Sequence, residues 1–222
     1  PALLVEARTK FAQEDVAGAI AIVDGVLSKS PSDADALLLK GSFIAFKGDQ
    51  AGAVELYRKA VQSKPDHLAA HTAIFSALIQ KGMVDDAGKQ LDEMKKVAPK
   101  SPQTLYLESQ LAYQRKDYKK ARDITQQLLK LAPENPLFQQ LAGATEYQLG
   151  SYAQAETLLN KALQQAPELG MARKMLIANY LRTGQTPKAI STLQPVLDKI
   201  GKDPAFLSLA GDAYLQSGDS KK

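Results

Sequence analysis

Residues 47–65 read KGDQAGAVELYRKAVQSKP, and the proline that ends them recurs at a fixed spacing along the chain. Prolines follow one another every 34 residues, at Pro31, Pro65, Pro99, Pro133 and Pro167. Alanines keep the same spacing, at Ala19, Ala53, Ala87, Ala121, Ala155 and Ala189. Glycines follow it at Gly48, Gly82, Gly150, Gly184 and Gly218, with Lys116 in the one gap of that series. A period of this length predicts a solenoid of stacked repeats.

Each repeat reads as two helices joined by a short turn. In residues 34–67 the first helix is predicted to end at Gly48, because glycine adopts the left-handed conformation at little cost. Asp49 is predicted to cap the second helix, which stops before Pro65 because proline cannot continue the hydrogen-bond ladder. The residues at the capping position in other repeats are Asp15, Asp117, Ser151 and Asp219.

Further prolines are predicted to begin helices. They follow the N-cap residues Ser101, Asn135 and Asp203, so each takes the first helical position, where a missing N–H costs nothing. Pro195 differs, since it lies inside the second helix of the sixth repeat. We expect it to kink or break that helix, or to end it early.

Patterns typical of catalysis or metal binding are nearly absent from the sequence. There is no cysteine, which excludes disulfides and thiolate metal sites. His67 and His71 are spaced to share a helix face, yet we interpret His67 as an N-cap and His71 as a packing residue. No nucleophile-elbow or phosphate-loop motif occurs, and Asp85–Asp86 open a helix, where negative charge offsets the helix dipole. The sequence therefore predicts no enzyme, no cofactor and no metal site.

Charge and hydropathy argue against two other classes. The net charge is +4, and the densest basic cluster, RKDYKKAR at residues 115–122, contains an acid, so no continuous face for nucleic acid is predicted. No apolar run approaches the roughly 18 residues that a membrane-spanning helix needs. The chain starts without Met, in PALLVEARTKF, which reads as helix interior. We therefore expect it to be a piece of a longer protein.

This helix-turn-helix period, with Gly or Ala in the first helix, Ala in the second and a closing proline, resembles the tetratricopeptide repeat (TPR) family. The resemblance implies an all-α fold, a right-handed superhelix formed by one array over residues 1–222. Six full repeats and the first helix of a seventh would occupy residues 1–33, 34–67, 68–101, 102–135, 136–169, 170–203 and 204–222. The family's aromatic residue near the start of the first helix is replaced by Leu3, Leu37, His71, Leu105, Gln139, Arg173 and Leu207. Packing at this slot is therefore expected to be weaker in repeats five and six.

The resemblance also implies a binding groove, because the first helices of a TPR superhelix line its concave surface. The candidate residues for this surface are Leu38, Ser42, Phe46, Thr72, Ser76, Tyr106, Gln110, Tyr113, Gln114, Gln140, Tyr147, Gln148, Lys174 and Arg182. The tyrosines are the predicted anchors, since an exposed tyrosine joins a large apolar face to a hydrogen-bonding hydroxyl. The alternative is that some of them pack between adjacent repeats.

The expected partner is a protein or peptide that binds as an extended segment or a helix. The carboxylate clamp of chaperone-binding TPR domains is absent, because its positions hold Leu38, Ser42, Thr72 and Ser76. Two alternatives stay open. One is a nucleic-acid-binding helical repeat, which the mixed charge disfavours. The other is self-assembly through exposed terminal helices, including a flank of the last helix formed by Leu207, Leu209 and Tyr214.

Three segments are similar to the long TPR lipoproteins of bacterial PEP-CTERM/exosortase systems. They read ADALLLKGSFIAFKGD (34–49), ARKMLIANYLRTGQTPKAISTLQPVL (172–197) and DPAFLSLAGDAYLQSGD (203–219). This resemblance implies a periplasmic array, anchored through a lipid-bearing cysteine upstream of this chain, in a setting of protein sorting and exopolysaccharide production. The lack of cysteine is compatible with export and with the cytosol.

Overall fold

The computed structural model describes residues 2–199, 201 and 203–218. These residues form thirteen α-helices and one 3₁₀ helix, and no strand occurs among them. The predicted fold class, an all-α solenoid of paired helices, is confirmed.

The helices follow one another in pairs. These are α1 (Ala2–Ala12) with α2 (Val16–Lys29), α3 (Ala34–Phe46) with α4 (Gln50–Ser63), α5 (Leu68–Gln80) with α6 (Val84–Val97), α7 (Pro102–Gln114) with α8 (Tyr118–Leu131), α9 (Pro136–Gln148) with α10 (Tyr152–Gln165), and α11 (Gly170–Arg182) with α12 (Thr186–Leu193). A 3₁₀ helix, Gln194–Lys199, follows α12, and α13 spans Pro204–Ser217.

The chain forms two compact units. Unit 1 extends to Leu107 and holds α1–α6 and the start of α7, whereas unit 2 begins at Glu108 and holds the rest. Within each unit, helices that follow one another inside a pair or across a closing turn pack together. First helices also pack on the first helix of the next pair, as α1 does on α3 in unit 1 and α9 on α11 in unit 2.

The repeating alanine is fully buried in every second helix. Ala19, Ala53, Ala87, Ala121, Ala155 and Ala189 each have no exposed surface. A methyl group at this point lets neighbouring helices approach closely, and a larger side chain would force them apart.

Every turn between the two helices of a pair contains a residue with positive φ. Glycine takes this position at Gly48, Gly82, Gly150 and Gly184, with φ between 71° and 96°. Lys116, predicted to stand in for glycine, has φ 61°, and Glu14 has φ 65° in the first repeat. A side chain in this conformation costs about 1–2 kcal/mol, so the α7–α8 and α1–α2 turns are strained.

Lys116→Gly is therefore expected to raise the free energy of unfolding by about 0.5–1 kcal/mol. Relief of the strain is partly offset by the greater freedom of glycine in the unfolded chain. Urea denaturation followed by circular dichroism measures the change. Lys116→Ala is the control, because it removes the charge and keeps the strain. A gain for Lys116→Ala as large as that for Lys116→Gly would contradict this explanation.

The predicted helix caps form where aspartate is present. The side chains of Asp15, Asp49 and Asp117 each accept a hydrogen bond from the backbone N–H three residues later, at 2.9, 2.8 and 3.1 Å. Ser151 is the N-cap of α10, but its side chain makes no capping bond. Asp219 lies outside the described residues.

The helix-starting prolines and the break at Pro195 are also observed. Asn135 accepts from two backbone N–H groups of α9, Asp203 does so in α13, and Ser101 caps the start of α7. The helix α12 ends at Leu193 and continues as the 3₁₀ helix that contains Pro195. Here the chain breaks the helix, as expected for a residue that removes a ladder hydrogen bond.

Polar residues at the missing-aromatic slot bind the carbonyl of the closing proline six residues before them. His71 Nε2 lies 2.9 Å from the Pro65 carbonyl, Gln139 Nε2 donates to Pro133 at 2.7 Å, and Arg173 Nη2 donates to Pro167 at 2.8 Å. Arg173 Nη1 also donates to the Thr192 carbonyl at 3.1 Å, next to the break in α12. The expectation of weaker packing in repeats five and six took no account of these hydrogen bonds.

Candidate functional site

The two histidines have structural roles in unit 1. His67 Nδ1 accepts a backbone N–H of the first turn of α5 at 3.1 Å, so its Nε2 carries the proton and lies 3.0 Å from Asp35 Oδ1. His71 donates from Nε2 to the Pro65 carbonyl, and its Nδ1 accepts from the Gln90 amide at 2.6 Å. Both ring nitrogens of each imidazole are used. Among the described residues, no group of three or more potential ligands could hold a metal.

Four tyrosines come together in unit 2 and form what we call the tyrosine cluster: Tyr113, Tyr118, Tyr147 and Tyr152. Tyr113 lies at the end of α7 and Tyr118 begins α8, with ring centroids 5.4 Å apart and planes inclined by 64°. Tyr147 and Tyr152 repeat this arrangement at the end of α9 and the start of α10, at 5.7 Å and 62°. All four side chains are half-buried. They therefore present partly exposed rings, as an aromatic binding surface requires.

Two polar side chains hold hydroxyls of the tyrosine cluster in place. Gln148 Nε2 donates to Tyr113 Oη at 3.2 Å, and Arg182 Nε donates to Tyr152 Oη at 3.3 Å. Gln148 and Arg182 are exposed and occupy the same position in successive repeats. A phenol oxygen that accepts such a bond keeps its own hydrogen for donation to a ligand.

The tyrosine hydroxyls remain protonated near neutral pH. Partial burial raises the pKa of Tyr113 above its ordinary value, and the hydrogen bond from Gln148 opposes this rise only in part. Burial also raises the pKa of Tyr106, which is half-buried in the part of α7 that belongs to unit 1. The hydroxyls are therefore neutral hydrogen-bond donors and acceptors.

An open cleft of about 380 Å³ adjoins the tyrosine cluster at Tyr147. Its lining comes from three successive first helices, α9, α11 and α13, through Tyr147, Ala178, Leu181, Arg182, Leu209, Asp212 and Gln216. The cleft is apolar along Leu181 and Leu209 and charged at Arg182 and Asp212. Its position means that the first helices of unit 2 share one concave surface.

Other predicted site residues of unit 2 make contacts within the chain. Gln140 Oε1 accepts the Ala172 N–H at the start of α11 at 3.1 Å. Lys174 Nζ lies 2.9 Å from Asp203 Oδ2 and 5.0 Å from the centroid of the Phe206 ring, which attaches α11 to α13. Gln140 and Lys174 stay partly exposed, as Gln110 does, and Gln114 is exposed.

The predicted residues of unit 1 are a mixed set. Phe46 is 69% exposed and meets Phe11 edge-on at 5.0 Å, whereas Leu38 packs against the core. Ser42 and Ser76 are exposed, and the Thr72 hydroxyl is bonded to a backbone carbonyl of its own helix. Their role in binding remains a prediction, as it does for every candidate residue.

Sequence reasoning missed Tyr118 and Tyr152. It considered first helices only, and both residues begin second helices. A signal was available, because Tyr113 and Tyr147 are 34 residues apart and each is followed five residues later by another tyrosine. The repeated pair could have indicated a shared aromatic site.

Comparison with protein families places the chain. Models described as "Tetratricopeptide repeat" match residues 47–111 and 146–213 in one case and 4–67 in another. A model described as "Anaphase-promoting complex, cyclosome, subunit 3" matches residues 80–162. These matches cover most of the sequence. The chain belongs to the tetratricopeptide repeat family, whose members generally act as scaffolds for protein–protein interactions.

Solved structures of low sequence identity share the fold. The chain is similar to a TPR protein from Parabacteroides merdae (TM-score 0.71, 16% identity, 98% of this chain and 86% of that one). It is similar to PilF of Pseudomonas aeruginosa (0.72, 15%, 95% and 96%). It also resembles a chain of the Cut9–Hcn1 hetero-tetramer of the anaphase-promoting complex (0.78, 16%), covering 99% of this chain and 42% of that one. No curated protein matches the chain significantly.

The membrane question was tested on the helices themselves. None of the helices in the described part of the chain combines the length and the apolar character needed to cross a bilayer.

Proposed function

We propose that the chain is a non-catalytic scaffold that binds an extended or helical segment of a partner protein at the tyrosine cluster and the adjoining cleft. The observation that carries this proposal is the pairing of half-exposed rings with hydroxyls held by Gln148 and Arg182. Rigid aromatic side chains with one polar tip are typical anchors of protein interfaces. A TPR protein of the same fold, YrrB, is described as having an unusual peptide-binding site (TM-score 0.52, 14% identity).

We further propose that this scaffold works in bacterial protein sorting and exopolysaccharide production, as part of a PEP-CTERM system. The support is the similarity of residues 34–49, 172–197 and 203–219 to the TPR lipoproteins of those systems. In that setting the array faces the periplasm and is held at the membrane by a lipid outside this chain.

Self-assembly is a second candidate function, favoured by apolar exposure on the two terminal helices. On α1, Leu3 is 48% and Val5 62% exposed, whereas the equivalent residues of α3, Leu37 and Leu39, are 5% and 8% exposed. On α13, Leu207 and Leu215 are exposed, while Leu209 and Tyr214, expected on the uncovered flank, pack partly against the core of unit 2. Sedimentation equilibrium over a range of concentrations tests this candidate, which predicts a mass above 24.0 kDa.

The scaffold proposal is tested by capture of proteins from an extract of the source organism. Wild type is compared with the triple variant Tyr106→Ala/Tyr113→Ala/Tyr147→Ala, and captured proteins are identified by mass spectrometry. We expect one or more partners to bind wild type and to be lost from the triple variant. Each such partner is then purified and its affinity measured against both proteins, with a fall of at least about tenfold expected.

The matched control is Val97→Ala/Leu131→Ala, which removes exposed apolar side chains from the second helices α6 and α8. It should retain every partner. Circular dichroism and thermal melting must show that the triple variant is folded. Equal capture by wild type and a folded triple variant would place the interaction elsewhere and would overturn the site assignment.

A further inference from the structure

The tyrosine cluster repeats one arrangement in two neighbouring helix pairs. In each pair, two rings stand about 5.5 Å apart and are inclined by roughly 60°, a T-shaped geometry that leaves a notch beside the rings. Tyr113 and Tyr147 occupy the same position of successive repeats, and Gln148 links them by its bond to Tyr113. Two like notches side by side suit a ligand that itself repeats.

The spacing of the two notches selects among backbone conformations. Adjacent packed helices lie roughly 8–10 Å apart, which sets the distance between equivalent positions on α7 and α9. A polyproline II segment repeats every three residues, or about 9 Å, whereas an α-helix repeats every 5.4 Å or so and a β-strand about every 7 Å. A segment with proline at every third residue would therefore place one pyrrolidine ring at each notch.

The polar groups of the cluster fit the same ligand. Proline has no N–H, so the carbonyls of a proline-rich segment are acceptors without an internal partner. The cluster presents hydrogen-bond donors: phenolic hydroxyls, the Gln148 amide and the Arg182 guanidinium. Aromatic-lined grooves with such donors are a known way of recognising polyproline II segments.

Charge adds a second requirement. Residues 115–122, which surround Tyr118, hold five Lys or Arg residues and one acid. That acid, Asp117, caps α8, and one of the cations, Lys120, is 3.1 Å from Glu108. The remaining cations and the exposed Arg182 give this edge of the cluster an excess of positive charge, which attracts an acidic ligand.

We propose that the tyrosine cluster binds a proline-rich, acidic segment of a partner protein in the polyproline II conformation. This inference rests on the proposed function as a partner-binding scaffold and adds the chemistry of the partner.

The test uses fluorescence anisotropy with three labelled peptides of equal length and the whole chain. The first is five repeats of Pro-Pro-Glu, the second five repeats of Pro-Pro-Lys, and the third five repeats of Gly-Ser-Glu. The proposal expects Pro-Pro-Glu to bind at least about tenfold more tightly than either of the others, since each lacks one of the two required features. Raising the salt concentration should weaken binding of the Pro-Pro-Glu peptide.

Variants locate the binding. Tyr113→Ala/Tyr147→Ala should lower affinity for the Pro-Pro-Glu peptide about tenfold or more, and the phenylalanine double variant at the same positions should lower it less, because the rings remain. Val97→Ala/Leu131→Ala should leave the affinity unchanged. The phenylalanine variant also keeps the test valid if the alanine variant is unstable.

Several outcomes would overturn the proposal. They are no binding of the Pro-Pro-Glu peptide, equal binding of the Gly-Ser-Glu peptide, which would show charge attraction alone, and full affinity in a folded tyrosine-to-alanine variant. Binding of an acidic oligosaccharide in place of the peptide would assign the site to glycans. If capture from the extract still depends on the tyrosines while the peptide fails, the scaffold function stands and only the partner chemistry is wrong.

Discussion

Gly41→Ala is expected to lower the free energy of unfolding by about 2 kcal/mol, although alanine is the better helix former. A Cβ at Gly41 would lie 2.8 Å from Tyr57 Cδ1 and closer still to Cε1, and 3.2 Å from the Ala53 carbonyl oxygen. The Tyr57 ring is only 6% exposed and cannot move into solvent. Overpacking of this kind costs about 1–3 kcal/mol or more, which exceeds the gain of about 1 kcal/mol in helix propensity.

Urea denaturation followed by circular dichroism measures the effect, and Gly25→Ala is the matched control. Gly25 also lies inside a helix, α2, but a Cβ there would have no neighbour within 4 Å. Gly25→Ala should therefore raise the free energy of unfolding by about 0.5–1 kcal/mol. A stabilising effect at both glycines would show that the space beside Tyr57 adapts to a methyl group, contrary to the prediction.

The first repeat supplies a compensating pair for Gly41. At the positions equivalent to Gly41 and Tyr57 it has Ala7 and Val23, and both are fully buried. The double variant Gly41→Ala/Tyr57→Val reproduces that combination. Its loss of stability should be at least about 1 kcal/mol smaller than the sum of the two single losses, because the smaller side chain makes room for the methyl group.

The helix pairs were accessible from sequence because their signals are local. Gly48, Asp49 and Pro65 fix a turn, a cap and a helix end through interactions within a few residues, and each recurs with the period. Lys116 was placed correctly for the same reason, since the turn imposes positive φ on whichever residue stands there.

The polar residues of the missing-aromatic slot needed tertiary geometry to interpret. Gln139 and Arg173 contradict the expected pattern of apolar packing, and sequence alone suggested a weakness. The hydrogen bonds to Pro133 and Pro167 depend on the path of the turn that precedes each helix, which brings a carbonyl under the side chain six residues later. No local propensity encodes that approach.

The candidate site was predictable only in part, for the same physical reason. Tyr113, Tyr147 and Gln148 could be assigned to one surface because they share repeat positions. Tyr118 and Tyr152 could not, because their contacts with that surface depend on how the turn after each first helix directs the next ring. Gln140 and Lys174 meet residues roughly one repeat away, so their contacts follow from the packing between repeats.

Phe75→Gly is expected to lower the free energy of unfolding by about 4–6 kcal/mol, the largest effect of a single substitution proposed for the chain. Phe75 is 1% exposed, and its loss leaves a cavity worth about 3–5 kcal/mol, to which a glycine inside α5 adds about 1 kcal/mol. Phe46→Ala is the control, since Phe46 is 69% exposed and should cost less than about 1 kcal/mol.

Repeat geometry indicates how this loss can be recovered. Phe75 and the 2% exposed Leu91 occupy the positions that hold Gly41 and Tyr57 one repeat earlier, so a large first-helix residue faces a smaller second-helix residue in one pair and the order is reversed in the other. Phe75→Gly/Leu91→Tyr should therefore regain about 2 kcal/mol relative to Phe75→Gly, whereas Leu91→Tyr alone should cost about 1–3 kcal/mol through overpacking. Losses that simply add would mean that the two side chains do not share one space. Favourable coupling here and at Gly41 would show that each helix pair specifies its own partner helix by the combined volume of these two side chains.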